Sequence, residues 1–471
     1  MRLVDNFYKA TLNAIYNYCT IHINEKVRNI ICLIAAHCLA AIYIFYRMDI
    51  SIKDKLNIGS FDIACFIFFM LIIFVLFGMK RSIAIDEDNK TSKILYCCFA
   101  ITMLVALIVA NPIWEIKVSM LMVIFIFPAF YYISQDSNDY AALVKIIAIS
   151  FVNIGLILHI GNFLLYPYED TSIAYQAGFA NPNTLAMALV PTFLCSIYLF
   201  SIYKKIKWLY LIIAGYTIGV IMLCEARTSI AVCLISLICW GIYYIIHSDI
   251  LGIKRVNSLV SVILAVCILA AGVFITDKVN AARGTAAITD TASVEETIKE
   301  PVEEATKEPT EGANSLEKVI TKSEERTGTN LNGFLSGRVE LWEYYTKDIT
   351  AFGHDYDAAK EQRAQDNITL GTHNTLISYL YICGAIPALI MLIIQLLVAG
   401  YIIRRIFFKY KTEEIERKNS LPQLDLFIVL IAPAYCLAGL VEELIWVSRW
   451  AIAALFFISL APIFYKRKFK R

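Results

Sequence analysis

A histidine at the border of an apolar run is a candidate for proton transfer, and His373 is placed that way. It lies in Thr372-His373-Asn374, between a polar stretch covering residues 277–370 and a long apolar run. A neutral imidazole there can take a proton from an attacking hydroxyl. Two arginines stand near similar borders. Arg338 follows Ser336-Gly337 late in the polar stretch, and Arg227 sits in the short turn Glu225-Ala226-Arg227-Thr228-Ser229 between two apolar runs. Guanidiniums present forked donors to phosphate oxygens and can stabilise a departing diphosphate. Each residue also has a plainer reading. Arg227 can snorkel to lipid headgroups, and His373 can simply mark the start of a helix. No His, Cys and Asp residues fall at metal-ligand spacing, and neither a Walker loop nor a dinucleotide fingerprint occurs. That pattern argues against ATP-driven transport and against transfer from a soluble nucleotide sugar.

The elements that must position these residues are membrane helices. The chain has 471 residues, 59% hydrophobic and only 17% charged, where a soluble domain carries about 25% charge. Its net charge of +2 implies no nucleic-acid partner. The thirteen cysteines lie almost entirely inside apolar runs, where cysteine is a small hydrophobe, so no disulfide framework is expected. Apolar runs predict twelve spans, at about 29–47, 61–79, 94–111, 118–134, 141–160, 183–203, 208–224, 229–247, 257–276, 374–403, 424–441 and 447–465. Backbone groups in lipid must be satisfied internally and no barrel alternation appears, so the spans are helical. The expected fold is an all-α polytopic membrane protein in three parts: a nine-span bundle over 1–276, a large external loop over 277–372, and three more spans with a basic tail over 373–471.

Charge sets the orientation. With the N-terminus inside, the short inner segments hold 24 lysines and arginines and the short outer loops six. The positive-inside rule then places both termini in the cytoplasm and 277–372 outside. Asn181, Arg227, Arg338, His354 and His373 all fall on the outer face. The loop 161–182 closes with Gly178-Phe179-Ala180-Asn181-Pro182-Asn183, a turn entering a helix that either asparagine could cap. Residues 284–327 are rich in Glu, Lys, Thr and Ala, and predict disorder. Apolar residues return at helical spacing from Leu335 to Tyr345, with Ser336 as a candidate cap. The last outer turn carries Glu442, Glu443, Trp446 and Trp450. The tryptophans suit a membrane interface, and the glutamates call for a cation such as Arg449 or a site arginine.

At these residues the chain resembles the O-antigen ligase and O-antigen polymerase superfamily of polytopic membrane glycosyltransferases. The resemblance rests on Gly178 to Asn183, on Glu225 to Ser229, on Ser336-Gly337-Arg338 with Leu341-Trp342 and Gly353, and on His373-Asn374 followed by Gly384. It covers about 178–390. It implies a GT-C-like helical fold and inverting transfer of a glycan from an undecaprenyl-diphosphate carrier to an acceptor hydroxyl at the outer face of the cytoplasmic membrane. Neither metal nor nucleotide cofactor is implied. By the same resemblance Arg227 and Arg338 hold the diphosphate, and His373 is the acceptor's base or orients its hydroxyl. Asn181, Asn183, Asn374 and Trp342 would contact substrate or shape its site, and Glu442 or Glu443 would orient an arginine. Expected partners are the lipid-linked donor, a glycan acceptor, membrane lipids, and a flippase or chain-length regulator.

The ligase form has a second glycine three positions after Gly384, where this chain has Pro387. That departure counts against a strict ligase, and high Ile, Lys and Tyr usage, which suggests a low-GC source without a lipid A acceptor, makes the expected outcome polymerisation of repeat units into a capsular, exopolysaccharide or O-antigen-like chain. The alternative is ligase-type transfer of a finished glycan to a lipid, protein or wall polymer. A transporter for a lipid-linked oligosaccharide is a third reading, but the halves show no repeat and the one clear mid-span cation is Lys145.

Overall fold

The computed structural model describes residues 23–48, 61–77, 90–133, 137–168, 173–251, 253–292, 338–368, 371–408 and 421–464, with scattered positions between 10 and 18. All regular structure among them is helical. The helices are α1 (Glu25–Phe45), α2 (Phe61–Phe77), α3 (Lys90–Ala110), α4 (Trp114–Leu121) running through a π-turn into α5 (Phe127–Ile133), α6 (Ser137–Leu165), α7 (Pro182–Ile202), α8 (Lys207–Leu223), α9 (Arg227–Ile246) and α10 (Arg255–Ala292). After residues 293–337 come α11 (Arg338–Thr346), α12 (Tyr356–Gln365), the single turn α13 (Thr375–Ser378), α14 (Ala385–Phe407), α15 (Leu421–Ala438) and α16 (Ala451–Ser459).

Eight of these segments are long and apolar enough to cross a membrane: α1, α3, α4 with α5, α6, α7, α9, α10 and α14. Four shorter apolar helices, α2, α8, α15 and α16, pack among them. α7 is the central element, with nearly every side chain from Leu185 to Ser201 buried. Where α8 crosses α10, Gly272 faces Gly215, and a Cβ on Gly272 would lie 2.4 Å from the Gly215 carbonyl carbon. Small residues at the crossing let the two backbones touch, as membrane helices require when apolar burial alone gives no preference for protein over lipid.

Cross-bundle contacts define two ends. At one, Lys145 lies 4.5 Å from the Tyr203 ring, the Tyr243 hydroxyl donates to the Pro422 carbonyl at 3.3 Å, and Arg405 pairs with Asp425 at 2.8 Å, fully buried. Lys145, expected in mid-span, therefore lies beside the residue that ends α7. At the opposite end the Tyr43 hydroxyl donates to the Val447 carbonyl, Tyr175 N–H to the Leu223 carbonyl, and Met48 bridges to Phe179. Arg227, Asn181, His373 and Glu442 belong to this second end.

Three boundaries differ from the expectation. The span expected over 374–403 is broken: Gly384, at φ +92°, separates a short α13 and π-turn from α14. The first N–H groups of α14 are satisfied from outside the helix, Ala385 donating to Thr350 O at 2.8 Å and Ile386 to Ala351 O at 3.2 Å. α10 continues to Ala292, so the segment expected to be disordered from 284 begins as helix. The rest of it, and the candidate cap Ser336, lie outside the described residues. The last helix starts only at Ala451, which leaves 439–450 as an irregular turn facing the His373 loop.

Candidate functional site

The site is built where residues 371–375 meet the turn 439–446. Thr375 N–H donates to Gly439 O at 2.7 Å, and its hydroxyl donates to Glu442 O at 2.7 Å while accepting Leu444 N–H at 2.9 Å. Asn374 caps α13: its Oδ1 accepts from Leu376 N–H and Ile377 N–H, and its Nδ2 donates to Leu440 O at 3.1 Å. Asn374 is thus occupied by backbone on both sides, and the structure gives it a positioning role. Trp342 does likewise, its indole N–H donating to Thr372 O at 2.9 Å and tying α11 to the loop.

His373 sits between these anchors at φ +47°, in the left-handed region that non-glycine residues seldom adopt. Such strain persists only where the surroundings over-determine the conformation. Here Glu443 does so: its Oε1 accepts the Thr372 hydroxyl at 2.9 Å and the His373 N–H at 3.3 Å. Gly371 gives the carboxylate room, since a Cβ there would come within 2.3 Å of Glu443 Oε1.

The field at His373 favours the neutral ring. Burial lowers its pKa from the ordinary 6.5, the Arg338 charge lowers it further, and Glu443 opposes both. Burial raises the Glu442 carboxyl, with Arg338 and Arg47 pulling it down and Glu443 pushing it up. Arg338, Glu442, Glu443 and His373 thus form one electrostatic group. Arg338 is the first described residue of α11.

Arg47, which faces the Glu442 charge, belongs to the same group. Its guanidinium carbon lies 3.5 Å from the centre of the Trp450 ring, and burial lowers its pKa to about 10, so it remains a cation. Arg449 does not serve the glutamates. It pairs with Asp62 at 3.5 Å and Glu115 at 3.3 Å, while Ser448 donates to Asp62. Trp446 and Trp450 lie under Arg449 and Arg47 rather than serving only as lipid anchors. Asp62 carried a usable signal: an acid at the head of an apolar helix calls for a partner.

The remaining candidates lie at the same end of the bundle. Arg227 opens α9, which lies antiparallel along α15, since Tyr243 meets Pro422 at the far end. That brings Arg227 to the side where α15 gives way to Gly439. Asn181 caps α7, its Oδ1 accepting Thr184 N–H and Thr184 hydroxyl at 2.9 Å each. Asn183 is exposed on the first turn. His354 Nε2 donates to the Asp348 carbonyl at 2.9 Å, and its ring lies tilted against that of Tyr381, 5.1 Å between centroids. Among the described residues no three His, Cys, Asp or Glu side chains gather as a metal ligand set. No protein-family model matches the chain, and no curated protein matches its sequence.

Proposed function

We propose that this protein transfers a glycan from an undecaprenyl-diphosphate carrier to the hydroxyl of a glycan acceptor, and so polymerises an envelope polysaccharide. The observation that carries the reading is the electrostatic group itself: a half-buried, neutral-leaning His373 beside Arg338, on a strained loop at the end of a bundle of apolar helices. In this reading all twelve apolar helices cross the cytoplasmic membrane in a GT-C-like arrangement. The basic segments around Lys204, Arg404 and Lys466 face the cytoplasm, and the site faces out.

The chemistry is a single displacement. The acceptor oxygen attacks the anomeric carbon and gives its proton to His373. The bond from that carbon to the diphosphate oxygen breaks, and the diphosphate leaves with the bonding electrons. Arg338 and Arg227 neutralise the departing charge, with Glu442 and Glu443 holding the cationic and imidazole groups in place. The polyprenyl tail stays in lipid throughout.

The test is purified protein in nanodiscs, supplied with undecaprenyl-diphosphate glycan from its own source. A ladder of lengthened lipid-linked glycan, lost in His373→Ala and in Arg338→Ala, is the expected result. Transfer of one intact glycan to a different acceptor would make the enzyme a ligase. Failure of the wild-type protein to consume verified donor would sink the reading and turn attention to transport.

A further inference from the structure

The external helices α11 and α12 enclose a groove that runs toward the His373 loop. Its outer part has a volume of about 480 Å³ and is lined by Tyr344, Asp348, Gln362, Asp366 and Tyr381 among others. That size falls within the range of ordinary ligand sites, roughly 300–1,000 Å³. Its inner part is a neck of about 60 Å³ between Tyr345, Tyr381, Arg363 and Trp446, ending on Thr372 and Glu443. His354, Ala359 and Tyr381 line both parts, so the two adjoin at these side chains. At the far end Glu443 is the carboxylate that accepts the His373 N–H. The neck therefore ends on the carboxylate that holds the His373 backbone.

The lining chemistry identifies the occupant. The half-buried rings of Tyr344 and Tyr381 line the outer part, and aromatic rings suit the C–H faces of sugars. Between them stand fixed polar groups: Asp366 accepts from the Tyr344 hydroxyl at 2.7 Å and from Gln362 Nε2 at 3.0 Å, and keeps acceptor capacity for a ligand hydroxyl. These pairings, the Tyr344 one foremost, hold Asp366 below its ordinary carboxylate pKa and hence ionised. In the outer part three carboxylates, Asp348, Asp355 and Asp366, face one cation, Lys347. That balance repels a diphosphate. The donor's anionic head fits the Arg338 and Arg47 side, and a neutral polyhydroxylated chain fits the groove. The change in width has a meaning too: several sugars can lie in the outer part, while the neck admits about one hydroxyl-bearing group.

We infer that this groove binds the acceptor glycan, with the body of the chain over Tyr344, Gln362 and Asp366 and its terminal hydroxyl led past Tyr381 to the loop at Thr372 and Glu443. The inference rests on the glycosyl-transfer reading above and adds where, and from which side, the acceptor enters.

The experiment uses the full-length protein in nanodiscs and a short glycan freed by mild acid from the source cell's lipid-linked polysaccharide. Saturation-transfer NMR reads its binding, and release of undecaprenyl diphosphate from the native donor is followed in parallel. Wild type is expected to bind the free glycan, and Tyr381→Ala to weaken binding tenfold or more. Asp366→Ala, an exposed and structurally mild change, is expected to weaken it as well. Binding by both variants equal to wild type, or no binding by wild type, overturns the groove assignment. Donor consumption separates the two ideas: if wild type consumes donor while the groove variants bind glycan normally, the groove alone is wrong. If wild type never consumes donor, the transfer reading fails with it.

Discussion

Gly353 and Gly384 meet backbone against backbone, and both hold positive φ, +89° and +92°. A Cβ on Gly384 would lie 2.4 Å from Gly353 N, and one on Gly353 would lie 2.1 Å from the Ile382 carbonyl oxygen. This contact seats the segment between α11 and α12 on the head of α14, where Thr350 and Ala351 cap the helix. Alanine at either position meets rigid backbone and a conformation costing it roughly 1–2 kcal/mol before any clash. We predict that Gly353→Ala and Gly384→Ala each lower the melting temperature in detergent sharply. Gly400→Ala is the control: open space surrounds it within α14, and replacing a mid-helix glycine should be neutral or stabilising by up to about 1 kcal/mol. Equal melting temperatures for all three variants would refute the contact's importance.

Glu443 is expected to set the conformation of the His373 loop rather than to touch the donor. Removing its carboxylate in Glu443→Ala abolishes the bonds to the Thr372 hydroxyl and the His373 N–H. Hydrogen bonds to a charged group are worth about 1.5–3 kcal/mol each, so stability should fall by an amount on that order. Turnover should fall further, by about 100-fold, because a reacting group displaced by an ångström loses that much. Glu443→Gln keeps an accepting oxygen and should retain clearly more activity than alanine. A glutamine variant as inactive as the alanine one would mean that the charge itself takes part.

Much of this was legible in the sequence, for physical reasons that also explain the rest. Apolar runs report burial directly, so the helices from α1 to α9 and α15 fall close to their expected ranges, while α10 runs past its expected end and the last helix starts late. The break at Gly384 was not legible, because a run such as Leu380 to Ile394 is equally apolar whether the backbone continues or turns. Periodicity carries no information on a single residue's φ. His373, Arg338 and the paired glutamates stood out as candidates because charge at a membrane border is costly and therefore informative. Arg47 escaped because nothing local distinguishes a guanidinium stacked on a tryptophan 403 positions away from one in solvent. Asn181 was named both as a cap and as a substrate contact, and only coordinates reveal the Thr184 bonds.

Those bonds make a separable prediction for Asn181. Asn181→Ala removes an N-cap and should cost about 1 kcal/mol of stability, while Asn181→Asp keeps the accepting oxygen and should cost little. Donor turnover, corrected for folded fraction, should change less than twofold in either variant. A large loss of turnover in a well-folded Asn181→Ala protein would return the residue to the substrate site.

The acid limit of activity tests the imidazole most directly. If His373 must be neutral to accept the acceptor's proton, turnover falls as pH drops through its pKa in the folded protein. Burial and Arg338 place that pKa below the ordinary 6.5, so the acid limb should lie below 6.5 in wild type. Glu443 stabilises the imidazolium, so Glu443→Gln should move the limb lower still, on whatever activity remains. Arg338→Gln removes a cation that disfavours the imidazolium, so its residual activity should show a limb shifted upward. The neighbouring Glu442, whose carboxyl is raised by burial, is the competing source of such a limb. A limb that survives in Glu442→Gln belongs to His373. The measurement is initial donor consumption from about pH 4.5 to 8 in nanodiscs, normalised within each variant. A limb at or above 6.5 in wild type, or one that rises in Glu443→Gln, would remove His373 from the role of base.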